Sequence, residues 1–248
     1  MVPSGELDPR VRAQILRQEC PVPFADLRIG STRGRFVVAW LSRLDVEKGE
    51  ELALHVPANL GARGVDAELW LAGSGLSGSS SEAGLKARAC ALDLGHTVRL
   101  VGSLPSLAAK SAFFRSADAF LATFIRPEPF GLVVTEAMAC GLPVVVPNSG
   151  GPREVARSAG LGALAYTAND TGEASRRLEG LARDPGWRLR AGELARMSFA
   201  TRWNVARTAE ALETLFPRAR PTWLSAHRPP ETVVTVGDRD GGRWTPGL

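Results

Sequence analysis

Cysteine and histidine are scarce in this sequence, and each scarcity removes a class of function. The three cysteines (Cys20, Cys90 and Cys140) are far apart, odd in number and in no C-x-x-C pair. Neither a disulfide framework nor a thiolate zinc site is expected, and buried or idle thiols are the better reading. The three histidines (His55, His96 and His227) are equally scattered, with no H-x-x-x-H pair to form a metal-binding helix face. No apolar run approaches the roughly 20 residues needed to cross a bilayer. The opening MVPSGELDPRVR lacks the charged and then apolar regions of a signal peptide, so a cytoplasmic location is expected. The chain also has no G-x-x-x-x-G-K-[ST] phosphate loop and no G-x-S-x-G nucleophile elbow.

What remains is the composition of a globular protein. The chain has 248 residues, 44% of them apolar and 23% charged, enough for a sizeable core in one or two domains. The net charge is +4 and the basic residues are almost all arginine. Between Gly172 and Pro217 eight arginines alternate with six acids and few aromatics, the pattern of an ion-paired, solvated helix surface rather than a nucleic-acid face. The positive balance suits an anionic ligand or an acidic membrane surface, which leaves peripheral membrane association open.

From Phe36 onward, short β-rich runs alternate with helical patterns. The expected strands are Phe36–Leu41, Ala67–Ala72, Thr97–Gly102, Ala119–Phe124, Pro143–Pro147 and, more weakly, Gly162–Tyr166. They are apolar nearly throughout, as strands covered on both faces are. Helices are expected at about 48–60, 81–94, 106–116, 131–140 and 153–158, with Pro57 kinking or shortening the first. This alternation predicts an α/β class, a single doubly wound Rossmann-like domain. Beyond Thr171 the chain reads as helix only, closing in an amphipathic segment over Arg202–Phe216. Residues 218–248 are rich in Pro, Gly and Arg and read as a disordered tail.

Four stretches invite a chemical reading. GSGLSG (Gly73–Gly78) is a literal G-x-G-x-x-G after a strand, the fingerprint of an NAD(P)-binding oxidoreductase domain. It follows the second strand rather than the first, however, and the next strand ends in Gly102 and Ser103 with no acid for a ribose. A βα loop at the carboxyl edge of the sheet is the better account, and Gly73→Ala is expected to matter less than loss of a cation. DRD (Asp238–Asp240) has the form of a metal-binding D-x-D but lies in the tail, outside the core. WLSRLDVEKGEEL (Trp40–Leu52) places Arg43 and Lys48 at a strand's carboxyl end before a helix start, a good seat for a diphosphate. The bland reading is a capped helix with incidental charges. RPEPFGLVVTEAMACGLPVVVPNSGGPREV (Arg126–Val155) sets Glu128 just before a helix start at Gly131 and Glu136 on that helix's second turn. Gly131 lets the backbone approach a phosphate, and a carboxylate one turn further in can accept hydrogen bonds from ribose hydroxyls. The bland reading is a capping acid and an exposed helical glutamate.

EPFGLVVTE fits the E-x7-E signature of the retaining GT-B glycosyltransferases of the glycosyltransferase family 4 type. EAMACGLPVVVPNSGGPREV resembles that family's E-A-M-A-x-G-x-P-V-V…G-G-x-x-E block, SRLDVEKG its G-R-L-x-x-x-K-G motif, and RWNVARTAEALETLF its closing helix. The similarity runs from about Val2 to Phe216 in the family's order. It implies the C-terminal, donor-binding half of a GT-B fold, with residues 1–35 as a junction segment and 36–217 as the nucleotide-sugar domain. Arg43 and Lys48 would neutralise the donor diphosphate, and with Glu128 they would form the catalytic set. Glu128 and the backbone of Phe130 and Gly131 would contact the transferred sugar, the amide of Leu132 a phosphate, and Glu136 the ribose. The base would lie near the end of TVRLVGS.

No metal and no cofactor are implied; the partner is a nucleotide sugar. The family's acceptor-binding domain, with its usual histidine, has no counterpart here. The resemblance therefore implies a missing or separate acceptor chain, and the isolated chain is expected to be inactive on its own. A non-catalytic nucleotide-sugar-binding subunit is the alternative, with the oxidoreductase domain behind it.

Overall fold

The computed structural model describes residues 34–75 and 82–215. Most of the junction segment, the second half of GSGLSG, the tail and its DRD lie outside them. Six strands form one sheet: β1 (Phe36–Leu41), β2 (Ala67–Ala72), β3 (Val98–Gly102), β4 (Ala119–Leu121), β5 (Val144–Pro147) and β6 (Ala165–Tyr166). Their order is β3-β2-β1-β4-β5-β6, with every neighbouring pair parallel. Helices α1 (Glu50–Gly61), α2 (Glu82–Ala91), α3 (Leu107–Arg115), α4 (Leu132–Ala139) and α5 (Gly150–Ser158) form the crossovers. Helices α6 (Thr171–Arg183), α7 (Pro185–Ser198) and α8 (Val205–Leu215) follow. This is the doubly wound Rossmann-like order, in which the crossovers reverse direction between β1 and β4.

The sheet belongs to a unit spanning Met1–Thr208. A second unit, Ala209–Leu248, contributes among the described residues only the end of α8. Among the described residues no helix is long and apolar enough to cross a membrane.

Burial follows the strand sequences. All six residues of β1 and all four of β5 are buried, because helices cover both faces of a doubly wound sheet. Phe113, Phe114 and Phe120 join α3 to β4 through ring centroids 5.6 and 5.7 Å apart. The Tyr166 hydroxyl donates to the Ala122 carbonyl at 2.7 Å, tying β6 to the exit of β4, and burial pushes this phenol's pKa up.

Four sequence expectations change. β3 is not covered on both faces: as the terminal strand of the order it alternates half-buried and exposed residues. Regular pairing in β4 stops at Leu121, three residues early, because Thr123 turns away to meet the loop after β1. Pro57 does not end α1, which runs through it to Gly61 with the proline ring buried. The closing segment is not one helix. A π-helical turn (Phe199–Trp203) ends at extended Asn204, whose side chain accepts from the Arg207 amide at 2.9 Å and so starts α8 afresh.

One buried group is out of place. Glu50, the first residue of α1, is 0% exposed, and neither carboxylate oxygen has a hydrogen-bond partner among the described residues. An unsatisfied buried carboxylate destabilises a fold, so Glu50→Met should raise stability by about 1–2 kcal/mol. Urea unfolding checks this as an increase in midpoint with unchanged slope.

Candidate functional site

The site grows from the two strands flanking the reversal. β1 delivers Ser42 and Arg43, followed by a 3-10 turn (Val46–Lys48) whose first amides are capped by Asp45, accepting from the Glu47 N–H at 3.1 Å. β4 delivers the PEPFG loop and then α4. Gly131 caps α4 in the left-handed region, φ 80°, with no side-chain cap. The Leu132 and Val133 amides at the start of α4 have no intrahelical acceptor and make an anion-attracting end, whereas Val134 donates back to the Gly131 carbonyl at 2.8 Å.

Between these loops lies an open cleft of about 630 Å³. All seven residues singled out from the motifs line it: Arg43, Lys48, Glu128, Phe130, Gly131, Leu132 and Glu136. Ser103 and Leu104, just beyond β3, form part of its wall, where the resemblance puts the base.

The charges are not waiting singly. Lys48 Nζ sits 2.6 Å from Glu128 Oε2, each side chain about one-fifth exposed, and also 5.3 Å from the Phe124 ring centroid. Lys110 Nζ donates to both oxygens of Glu136, at 2.9 and 3.1 Å. Arg43 differs: its side chain is 75% exposed and its nearest acid, Asp45, is 3.8 Å away. An anion entering the cleft thus meets one loosely held guanidinium and two lysines whose counter-charges are the two glutamates of E-x7-E.

The glutamate-bearing loop is fixed from behind by the first turn of α5, which begins in SGGP. The Gly151 amide donates to the Glu128 carbonyl at 2.9 Å. A Cβ on Gly151 would overlap the Pro129 carbonyl and stand 2.6 Å from Phe130 Cα. From the other side, the Trp203 ring meets Phe130 edge-on at 5.5 Å and its indole N–H donates to Ser158 at 3.2 Å.

The glycine fingerprint has a packing role. Gly73 adopts φ 142°, and a Cβ there would overlap the carbonyl oxygen of Ser42, the residue before Arg43. The expectation that Gly73→Ala matters less than loss of a cation thereby gains a physical cause. The variant should weaken nucleotide binding by no more than about threefold, by pushing the Ser42–Arg43 backbone off its position, measured by titration calorimetry. Because the motif follows β2 and not β1, it does not serve the helix start at the reversal.

Sequence reasoning missed Lys110, Thr123 and Phe124. The chain has only three lysines, at positions 48, 86 and 110, and two of them line this cleft. In so arginine-rich a chain, that scarcity was a usable signal for Lys110. Thr123 and Phe124 read simply as strand. Among the described residues no three of His, Cys, Asp and Glu gather as a metal-holding group.

A model of the family described as "Glycosyl transferases group 1" matches residues 27–197. The chain belongs to that family. Among curated proteins, it is 30% identical to the D-inositol 3-phosphate glycosyltransferase of Corynebacterium jeikeium over 86% of this chain and 49% of that protein. It is 34% identical to the phosphatidyl-myo-inositol mannosyltransferase of Mycolicibacterium smegmatis over 71% of this chain and 43% of that one. Of solved structures, Anabaena Alr3699/HepE in complex with UDP matches with a TM-score of 0.65 and 26% identity, over 74% of this chain and 49% of that one. Sucrose-phosphate synthase from Thermosynechococcus elongatus shares the fold, with a TM-score of 0.66 at 23% identity over 86% and 51%. The described fold is thus Rossmann-like, matching GT-B glycosyltransferase structures, and the chain spans about half the length of the relatives it matches.

Proposed function

We propose that this chain is the donor-binding half of a retaining glycosyltransferase, transferring a hexose from a nucleotide-diphosphate sugar with its anomeric configuration kept. The observation that carries the reading is the convergence of Lys48, Glu128, Glu136 and the uncapped start of α4 on one cleft at the sheet's reversal point. The ligand seen with the Anabaena relative, UDP, is of the matching class.

In this reading the diphosphate takes Lys48 from Glu128. The released carboxylate then accepts a hydrogen bond from a sugar hydroxyl, so donor binding and sugar orientation are one exchange. As the bond between sugar and diphosphate breaks, negative charge grows on the leaving phosphate. Lys48, Arg43 and the α4 amides stabilise that charge where it develops. The reading assigns this task to side chains and amides rather than to a metal ion. Glu136 receives the ribose hydroxyls, with Lys110 holding the carboxylate in place. The acceptor would be bound by the other half of the GT-B cleft.

Titration with UDP-, GDP- and ADP-sugars and with NAD(P) tests the proposal. Saturable binding of one nucleotide sugar, competed by its nucleoside diphosphate, is the expected result. Binding of NAD(P) alone would overturn it.

A further inference from the structure

Three consecutive residues at the exit of β4 hold the turn that carries Lys48, each by a different contact. The Thr123 hydroxyl, 2% exposed as part of its residue, lies 3.0 Å from the Lys48 carbonyl and 2.7 Å from the Gly49 carbonyl. The Phe124 ring faces the Lys48 ammonium at 5.3 Å. The Ile125 amide donates to the Glu47 carbonyl at 3.0 Å. The direction of the Thr123 proton is settled by its other neighbour. Trp40 of β1 donates its indole N–H to the same oxygen at 2.8 Å, so the hydroxyl's single proton is left for the two carbonyls. The fit is close: a Cβ on Gly49 would overlap the Thr123 carbonyl oxygen.

We infer that Thr123 is a positioning residue for the donor diphosphate, acting through Lys48, and that Phe124 assists it. The inference rests on the donor reading above. Its physical content concerns what happens when Glu128 is displaced. A lysine held only by its carboxylate partner would swing free once a phosphate arrived in competition with that partner. Here the backbone around Lys48 is anchored to the segment leaving β4, and the ring stays beneath the ammonium. Lys48 can therefore change partners without changing place, and the entropy of ordering it is lost on folding rather than on binding. Thr123 touches no ligand in this scheme; its hydroxyl fixes a backbone.

The experiment compares wild type with Thr123→Val, Thr123→Ser and Phe124→Leu by calorimetry. The ligands are UDP, GDP and ADP, each beside its nucleoside monophosphate. Thr123→Val should weaken the bound nucleoside diphosphate about tenfold while changing the matching monophosphate much less, and Thr123→Ser should restore wild-type affinity. Phe124→Leu should show the same selectivity to a smaller degree, and it serves alone if the valine variant does not fold. Equal loss for diphosphate and monophosphate would reduce Thr123 to a structural role and overturn the inference, as would wild-type affinity in Thr123→Val.

A second readout needs no ligand. Hydrogen exchange at the Lys48 and Gly49 amides, bonded to Asp45 and Val46 carbonyls at 2.7 and 3.1 Å, should speed up in Thr123→Val and not in Thr123→Ser. If wild type binds no nucleoside diphosphate, the donor reading fails. The exchange data then decide the anchoring by themselves.

Discussion

Gly151→Ala is expected to reduce nucleotide-sugar binding more than 100-fold and to cost the fold about 3 kcal/mol. The added methyl group would meet backbone rather than side chain, overlapping the Pro129 carbonyl and crowding Phe130 Cα at 2.6 Å. No rotamer change relieves such a contact. Either the first turn of α5 or the PEPFG loop must move, and the loop is bonded to that turn through the Gly151 amide and the Glu128 carbonyl. Its movement carries Glu128 away from Lys48 and turns the first amides of α4 out of the cleft. A urea titration gives the stability loss and calorimetry the affinity. A variant that folds at wild-type stability and binds normally would show that the two loops are not locked together.

Lys48→Met is expected to weaken the bound nucleoside diphosphate roughly 30–100-fold, about 2–3 kcal/mol. Methionine keeps most of the side chain's length and its packing on Phe124 while removing the charge. Two effects add: a charge-assisted contact to phosphate disappears, and Glu128 is left facing the incoming anion without its cation. Arg43→Met should cost only about threefold, because its guanidinium is 75% exposed and screened by solvent. The motifs alone treat the two cations as equals; the geometry separates them. Affinity measured for both variants at low and high salt checks this. An Arg43 variant weaker than the Lys48 variant would reverse the ranking.

The strands around the reversal point were legible because burial on both faces leaves a continuous apolar signature, as in FVVAWL and PVVVP. The α4 site was legible because Gly131, Glu128 before the helix and Glu136 within it stand at fixed sequence spacing. Contacts between distant segments were not. Lys110 reaches Glu136 across 26 positions, and Thr123 reaches Lys48 across 75. Such pairings follow from strand order, which periodicity does not encode. The β3 miss has the same origin: a strand's place at the edge is a property of the sheet, whereas its residues look like those of any short strand. Asn204 is the opposite case. Its role as a cap was readable from residue type, but the amphipathic pattern running across it masked the break.

The position of β3 at the margin of the described sheet also bears on pairing between copies. An open strand presents unpaired amides and carbonyls that can recruit a strand from another molecule. Here that border carries Arg99, whose guanidinium pairs with Glu68 at 3.0 Å and stacks 5.3 Å from the Trp70 ring centroid. A neighbouring strand could approach only by stripping water from a charge already engaged on the sheet. The opposite border, β6, is two residues long, too brief to template anything. Among the described residues one margin of the sheet carries charge and the other is short, two features that disfavour strand addition from another copy.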